Sequence, residues 1–239
     1  MIEKTVSVGM AVYNGEKYIP TQIDSILRQL RENDELVISY DRSTDNTKAI
    51  IDGYAQTDSR VRVIENDRSG IVDNFNNALS HCKNDIIFIS DQDDEWIDGK
   101  RDKMVEALEL NQADLAIHNA VHVDAEGKPI SKPLFELYGI RKGLLRNFAM
   151  PRYSGCCMAF TTEAAKMILP MPESVINYDH WVGMVCEAFG NVVFVDDVLL
   201  HHRLHGDNVT TSRRSIRIVA QQRFNLLREL MKRRRQLHK

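Results

Sequence analysis

The sequence contains no long apolar run and few cysteines. Among its 239 residues no stretch reaches the roughly 18 consecutive apolar residues that span a membrane, so we expect no membrane-spanning helix. The first residues lead into a strand-like segment without an apolar signal region, so we do not expect export. The four cysteines show no C-x-x-C spacing, which favours reduced, mostly buried thiols in a cytoplasmic protein. No internal repeat or low-complexity linker is present, and the length fits one large domain or two small ones.

The net charge of −3 conceals an uneven distribution. Residues 213–239 contain ten Lys and Arg and one Glu, which leaves 21 basic and 33 acidic residues in 1–212. The body is therefore acidic and the tail strongly basic, which favours an acidic partner surface for the tail. We do not expect that partner to be nucleic acid, because the body is acidic and no platform of aromatic and basic residues is present.

The basic tail carries apolar residues at helical spacing, with Arg and Lys on its other faces. The stripe consists of Ile216, Ala220, Phe224, Leu227 and Met231. This pattern predicts a basic amphipathic helix over 213–239. Such a helix binds anionic membrane surfaces peripherally, or else its stripe packs on the preceding domain, 1–212. Both possibilities remain open at this point.

An apolar run at 86–89 ends in an acidic motif, Ser90-Asp91-Gln92-Asp93-Asp94. Four consecutive apolar residues indicate a strand buried on both faces. Clustered carboxylates repel one another, and hard oxygen ligands suit Mg²⁺ or Mn²⁺ shared with a substrate phosphate. We therefore predict that Asp91 and Asp93 hold a divalent ion under a nucleotide diphosphate. The alternative is an acidic turn that caps the next helix.

Strand-like and helix-like segments alternate along the chain. Strands are predicted at 5–12, 35–40, 61–64, 85–90, 115–123, 192–195 and 198–200, and helices at 19–30, 72–81, 100–110, 163–169 and 177–189. A further helix is predicted after Ser43-Thr44-Asp45, carrying Ile50, Ile51 and Tyr54. This order predicts an α/β fold with a mainly parallel sheet flanked by helices. Ligands bind such sheets beyond the carboxyl ends of the strands. We expect Asn14, Asp41, Asp91 and Asp93, which follow three different strands, to lie on that one edge.

These motifs together resemble family 2 glycosyltransferases with the GT-A fold. The resemblance rests on Ala11-Val12-Tyr13-Asn14, Asp41 with Ser43-Thr44-Asp45, Asp91-Gln92-Asp93 and the acidic Asp179 before Trp181. It covers most of residues 5–208 in order and spacing. The forms at 90–96 and 202–208 are most similar to the rhamnosyltransferase-like branch.

The resemblance implies a role for each matching residue. Ala11, Val12, Tyr13 and Asn14 would line the nucleotide pocket, Asp41 would accept a hydrogen bond from uracil or thymine, and Asp91 would face the ribose or a metal-bound water. Asp93 would bind Mn²⁺ or Mg²⁺, and His205, less securely His202, would lie near the diphosphate or the metal. Asp179 would be the general base. Trp96, Gly155, Cys156 and Trp181 would lie on the acceptor side.

Several alternatives stay open for these residues. Asp179 is also well placed to cap the helix that follows it, and Gly155 and Cys156 could begin a buried strand. Arg42 and Tyr178 stand where the family often has other residue types, Tyr178 replacing an acidic residue. His201, His202 and His205 could form a zinc site, although ordinary loop histidines fit better because no Cys or His pair has finger spacing.

The expected activity is inverting transfer of a sugar from dTDP-rhamnose or a UDP-sugar to a saccharide or lipid-linked saccharide, in surface polysaccharide synthesis. One base opposite the leaving group implies a single displacement, because a double displacement needs a second carboxylate as nucleophile. Two other functions remain open. A sugar-nucleotide pyrophosphorylase would need a glycine-rich loop after the first strand, and a non-catalytic nucleotide-binding protein would tolerate loss of Asp179.

Overall fold

The computed structural model describes residues 3–204 and 215–237. Strands and helices alternate along most of this range. In chain order the described elements are β1 (Val6–Val12), α1 (Ile19–Leu27), β2 (Glu35–Tyr40), α2 (Thr47–Thr57), β3 (Val61–Glu65), α3 (Ile71–Ser80), β4 (Ile86–Ser90), β5 (Glu95–Trp96), α4 (Lys100–Leu110), β6 (Leu115–Val123), α5 (Leu134–Tyr138), α6 (Leu144–Ala149), a 3-10 turn (Gly155–Cys157), β7 (Met158–Thr161), α7 (Thr162–Ile168), α8 (Tyr178–Phe189), β8 (Val192–Arg203) and α9 (Ile216–Leu237).

These strands form one sheet in the order β3-β2-β1-β4-β7-β6-β8-β5. The four neighbouring strands β3, β2, β1 and β4 are parallel, as are β6 and β8. Strands β7 and β5 run antiparallel to their neighbours. The predicted mixed, mainly parallel sheet flanked by helices is therefore confirmed. Because β1, β2 and β4 are parallel, the loops that follow them meet at one edge of the sheet.

The central strands are fixed by their apolar sequence. Every residue of β1 and β4 is buried, as expected for strands covered by helices on both faces. On the neighbouring helices, Ile19 and Ile23, one turn apart on α1, and Phe75 on α3 are fully buried. The loops at the edge of the sheet therefore extend from a packed core that fixes where each of them begins.

Two parts of the sheet differ from the sequence prediction. The segments predicted as separate strands at 192–195 and 198–200 form the single strand β8, which pairs with β6 through an irregular register. Residues 201–203, which lie beyond the strand predicted at 198–200, also belong to this strand. The two-residue strand β5, which the sequence did not indicate, pairs with β8 directly after the acidic motif. Both features come from pairing between distant segments, which local residue pattern does not encode.

Helix α9 confirms the predicted C-terminal helix, but a different face of it contacts the body. Its buried residues are Leu226, Glu229, Leu230 and Arg233. The predicted stripe is exposed instead, with exposed fractions of 63% at Phe224, 46% at Leu227 and 51% at Met231. The alternative in which this stripe packs on the preceding domain is therefore wrong for these residues. The side chain of Ile216 lies outside the described residues.

Other predictions concern membrane spans, cysteines and the domain boundary. No described helix has the length and apolar character needed to cross a membrane. All four cysteines are free thiols, and Cys156, Cys157 and Cys186 are buried, as predicted. The division of the chain at residue 212 stays a prediction, because residues 205–214 are outside the described part.

Candidate functional site

Gln92, in the middle of the acidic motif, joins the loops after β4 and β1. Its side-chain amide donates to the Tyr13 carbonyl (2.8 Å), and its side-chain oxygen accepts from the Tyr13 backbone N–H (2.8 Å). A Cβ atom added at Gly15 would lie 2.6 Å from that oxygen, so only glycine leaves room for the pair. The two loops therefore hold a fixed position relative to each other.

Asn14 joins the loops after β1 and β2 in a similar way. Its backbone N–H donates to the Ser43 hydroxyl (2.9 Å), and its side-chain oxygen accepts from the Thr44 N–H (2.8 Å). Asn14 adopts a positive φ of 46°, which asparagine tolerates better than most residues. The three segments that carry the predicted nucleotide site are thus connected by hydrogen bonds.

Asp41 lies buried at the end of β2 in a small polar pocket. The Asn66 side chain donates to its Oδ1 (2.6 Å), and the Gly70 N–H donates to its Oδ2 (3.2 Å). Each carboxylate oxygen can accept more than one hydrogen bond, so this arrangement is compatible with a further donor. The role of Asp41 in binding a nucleotide base stays a prediction.

The acidic motif has the electrostatics expected of a cation site. Burial, together with the charges of Asp94 and Asp93, raises the pKa of Asp91 to about 7. Asp94 is almost completely buried, and its Oδ1 accepts from the backbone N–H of Arg203 on β8 (3.1 Å). Its Oδ2 is buried with no hydrogen-bond partner among the described residues. A buried carboxylate oxygen in that state is strongly unfavourable unless a cation or donor approaches it.

His202 and Cys156 lie next to Asp94. One ligand atom from each of these three residues lies within 4.8 Å of the other two. Burial lowers the pKa of His202, but the Asp94 and Asp91 carboxylates outweigh it and the net shift is upward. The Cys157 side chain and burial raise the pKa of the Cys156 thiol well above its ordinary value, so it is protonated near neutral pH.

These residues fit Mn²⁺ or Mg²⁺ better than a thiol-binding metal. Carboxylate oxygens with an imidazole suit the hard divalent ions, whereas Cys156 would supply a single sulfur ligand. Asp91, Asp93, Asp94 and His202 are the residues that could hold the ion. His205, the other predicted metal ligand, lies outside the described residues. Sequence reasoning gave no role to Asp94, which is buried and hydrogen-bonded to the distant Arg203.

The three-histidine zinc interpretation does not fit the structure. His201 and His202 are consecutive residues of β8, so their side chains point to opposite faces of the sheet. His201 Nδ1 lies 3.3 Å from a Glu95 carboxylate oxygen on β5, whereas His202 Nδ1 lies 3.2 Å from His122 Nδ1.

Asp179 is the second residue of α8 and lies in its first turn. The capping position is Asn177, so the prediction that Asp179 caps this helix is wrong by two positions. Its Oδ1 accepts the backbone N–H of His180 (2.6 Å). The preceding residue, Tyr178, donates its hydroxyl to Asp91 Oδ1 (3.0 Å). This bond brings the start of α8 to the acidic motif, although the two are separated by more than eighty residues.

The residues predicted for the acceptor side need correction. Trp96, Trp181 and Cys156 are each at most 1% exposed, so an acceptor cannot contact their side chains. The indole of Trp96 packs against Phe88, and that of Trp181 donates to a main-chain carbonyl in the core (2.9 Å). Apolar surface drives both rings inward. Gly155 is also buried, and a Cβ there would lie 2.2 Å from the Tyr178 ring, so it leaves space for that ring.

A smaller correction applies to the nucleotide-pocket residues on β1. The Ala11 and Val12 side chains are buried in the sheet, and only Tyr13 and Asn14 are exposed at its edge. The Val12 carbonyl accepts the backbone N–H of Asp41 (2.9 Å) and the side-chain amide of Asn74 (3.1 Å). Ala11 and Val12 therefore support the edge and do not present side chains to a ligand.

Comparison with known protein families gives a single, consistent result. The sequence model of the family Glycosyl transferase family 2 matches residues 7–169 of this chain. Glycosyltransferase GlyG of Streptococcus pneumoniae is 30% identical over 124 residues, which cover 52% of this chain and 41% of GlyG. The Escherichia coli protein WfgD, a UDP-Glc:alpha-D-GlcNAc-diphosphoundecaprenol beta-1,3-glucosyltransferase, is 32% identical over 112 residues, 46% of this chain and 44% of WfgD. The chain spans less than half the length of both curated relatives.

The fold also has close counterparts among solved structures. S. aureus TarS, residues 1–349, in complex with UDP-GlcNAc, superimposes with a TM-score of 0.72 at 18% identity. The match covers 97% of this chain and 72% of the TarS chain. At this level of identity the likeness shows a shared fold.

Proposed function

Because the chain belongs to glycosyl transferase family 2, we propose that it is a metal-dependent, inverting glycosyltransferase. It moves rhamnose or another hexose from a nucleotide diphosphate to a saccharide acceptor in the synthesis of a bacterial surface polysaccharide. The observation that carries this proposal is the buried, unpartnered Oδ2 of Asp94 beside His202. The neighbouring Asp91 accepts a hydrogen bond from Tyr178, the residue before Asp179.

The proposed donor is a UDP- or dTDP-sugar. Uracil and thymine both carry an N3–H, which would donate a hydrogen bond to the Asp41 carboxylate. Asn66 and the Gly70 N–H hold that carboxylate in place. The name of WfgD and the TarS complex each include a UDP-sugar, which supports uridine as the nucleoside of the donor. The motif forms at 90–96 and 202–208 support rhamnose as one candidate sugar.

The acidic motif is the proposed place of the divalent ion. Asp93 with Asp91, Asp94 and His202 would hold Mn²⁺ or Mg²⁺, which would stabilise the negative charge that develops on the leaving diphosphate. Arg203 keeps the motif in position: its Nε donates to the Asp93 carbonyl (3.2 Å) and its backbone N–H to Asp94.

Asp179 is the proposed general base. A carboxylate in the first turn of a helix is favoured by the positive end of the helix dipole. From there it would take the proton of the acceptor hydroxyl as that hydroxyl attacks the sugar. A single base on the acceptor side gives one displacement and inverts the configuration at the anomeric carbon.

The proposed location is the cytoplasmic side of the cell membrane, where a lipid-linked saccharide would be an accessible acceptor. The acceptor in the WfgD name is a sugar on diphosphoundecaprenol, which supports this class of acceptor. Peripheral contact through the basic helix α9 would bring the enzyme to it.

Asp179→Asn tests the proposal. We expect transfer, followed as UDP or dTDP release from the matching sugar donors, to fall by about 10²–10⁴-fold, the usual contribution of a general base. Nucleotide binding should persist, because the substitution keeps the size and position of the side chain. Asp98→Asn is the matched control, since that side chain is 84% exposed and lies outside the site.

Three outcomes would count against this proposal. Retained transfer in Asp179→Asn would refute the assignment of the base. Nucleotide binding without transfer in the unmodified chain would favour a non-catalytic binding protein. Formation of nucleotide sugar from a nucleoside triphosphate would favour a pyrophosphorylase, although Gly15 alone represents the glycine-rich loop after β1.

A further inference from the structure

Helix α9 is held on the body in one rotational setting. The guanidinium of Arg233 donates to the carbonyls of Met167, Leu169 and Pro170, at 2.6 to 2.8 Å. It also lies 5.4 Å from the centre of the Trp181 ring. Leu226 and Leu230 are buried on the same face of the helix. These contacts determine which residues of α9 point away from the protein.

The outward face carries a continuous apolar stripe. Ala220, Phe224, Leu227 and Met231 recur at spacings of three and four residues, which place them along one side of a helix. All four side chains are exposed, and Phe224 is the most exposed of them, at 63%. Single exposed apolar residues are common on protein surfaces, but a row of this kind along one helix marks an interaction surface.

Basic residues border this stripe on both sides. At 3.6 residues per turn, Arg217, Arg228 and Arg235 lie along one side of it and Arg234 along the other. All four are exposed. The acidic residue of α9, Glu229, is turned toward the body and pairs with Arg228 and Lys232. The stripe is therefore flanked by positive charge, an arrangement complementary to a negatively charged surface.

The same helix lies against the proposed catalytic helix. Leu226 and Gln222 share a small cavity with His180 and Trp181, the two residues that follow Asp179. A surface that receives the stripe would therefore lie on the far side of α9 from α8, the helix that carries the proposed base.

We propose that this outward face of α9 binds anionic phospholipid membranes, with the apolar stripe in the interfacial layer and the flanking arginines on lipid phosphates. Amphipathic helices with basic flanks bind in this way. A second copy of the chain fits less well, because two such faces would bring arginines against arginines. Lipid binding needs no sugar donor, while its value in reaching a lipid-linked acceptor rests on the proposed function.

The test is vesicle flotation of the full chain without nucleotide or acceptor. Vesicles of phosphatidylcholine with phosphatidylglycerol should carry the protein, and vesicles of phosphatidylcholine alone should not. We expect the triple variant Phe224→Ser, Leu227→Ser, Met231→Ser to lower flotation strongly. The variant Arg234→Glu, Arg235→Glu should lower the partition coefficient roughly tenfold or more, because it reverses two cationic contacts. High salt should weaken binding of the unmodified chain.

Matched controls lie on other surfaces. Leu110→Ser removes a side chain that is 76% exposed at the end of α4, and Lys128→Glu reverses an exposed charge after β6. Both should float like the unmodified chain. Since every substituted side chain is exposed, the thermal unfolding midpoint of each variant should match that of the unmodified chain. Hydrogen exchange should show protection on vesicles concentrated in 217–235.

Several results would overturn the proposal. These are equal flotation with neutral and anionic vesicles, flotation unchanged by both α9 variants, or no flotation of the folded chain. A dimer that the serine variant dissociates, without any vesicle binding, would identify the stripe as a self-association surface. None of these results depends on sugar transfer, so they leave the proposed function to its own test.

Discussion

Tyr178 is the residue that connects the acidic motif to the helix of the proposed base. Its hydroxyl donates to Asp91, and its ring packs against Phe75 with the ring centres 4.0 Å apart. Where the family often has an acidic residue, this chain has a neutral hydrogen-bond donor. A second carboxylate would add repulsion beside Asp91, whereas the phenol orients its carboxylate and stabilises the ionised form.

We expect Tyr178→Phe to weaken Mn²⁺ binding and to shift its pH dependence toward higher pH. Burial raises the pKa of Asp91 to about 7, and the Tyr178 hydroxyl opposes that shift. Loss of the hydroxyl should raise this pKa further. Because the ion needs the carboxylate, Mn²⁺ affinity falls as pH drops through the Asp91 pKa. Isothermal titration of Mn²⁺ across mildly acidic to mildly alkaline pH measures the effect.

Tyr54→Phe is the matched control for this substitution. The Tyr54 hydroxyl donates to Asp24 at 2.7 Å, a similar pair outside the site. Its loss should leave Mn²⁺ affinity unchanged at every pH. If Tyr178→Phe leaves the pH midpoint of Mn²⁺ binding where it was, Asp91 does not contribute to the ion site as proposed.

At the scale of elements, the turn at Gly155–Cys157 and helix α8 approach each other closely. The Tyr178 ring at the start of α8 occupies the space that a side chain at 155 would need. The strand after this turn, β7, runs antiparallel between β4 and β6. This turn therefore holds the proposed base helix against the acidic edge of the sheet.

We expect Gly155→Ala to destabilise the fold by about 1–3 kcal/mol, the usual cost of overpacking a buried site. A methyl group there would displace Tyr178 and with it the hydrogen bond to Asp91. Chemical denaturation measures the stability, and Mn²⁺ titration of the folded variant measures the site. Loss of stability with unchanged Mn²⁺ affinity would show that the turn has only a packing role.

Gly53→Ala provides the comparison. Gly53 lies within α2 with open space where its Cβ would be. Replacing it should stabilise the fold by about 0.4–1 kcal/mol, because alanine lowers the entropy of the unfolded chain. If the two substitutions change the free energy of unfolding in opposite directions, the effect at residue 155 comes from its contact with Tyr178.

At the scale of the whole molecule, like charges from one loop are concentrated beside a buried core. Asp91 and Asp94 are brought there by β4, while His202 arrives on β8 and Lys100 on α4. Burial lowers the pKa of Lys100 to about 8, and the carboxylates nearby act in the opposite direction. Buried acidic and basic groups from three separate elements therefore interact at the functional edge, and their pKa values depend on one another.

We expect the free energy of unfolding of the cation-free chain to include a part that decreases as pH rises. The pKa of Asp91 rises from 3.8 to about 7 on folding, so the folded state binds more protons than the unfolded state between these values. The contribution of Asp91 is fully present below its unfolded pKa and is lost as pH rises through its folded pKa. Urea unfolding in EDTA at a series of pH values measures this part.

Asp91→Asn should flatten that pH dependence, because the amide does not titrate. Added Mn²⁺ should stabilise the unmodified chain above the folded pKa of Asp91 by mass action, and should stabilise the variant less. Identical pH profiles for the two proteins would contradict the assignment of the raised pKa to Asp91.

The sequence by itself determined the order of most strands and helices, because apolar periodicity is a local property of the chain. It also determined that Asn14, Asp41 and Asp91 end parallel strands and so share an edge. It did not indicate β5, α5 or α6. Tertiary structure alone decided that Asp94 is buried, that His202 lies on a strand beside it and that Tyr178 reaches Asp91. Each of these depends on contacts between segments far apart in the chain. For the same reason, only the packed structure shows that the stripe on α9 faces outward, since two faces of that helix are apolar enough to pack.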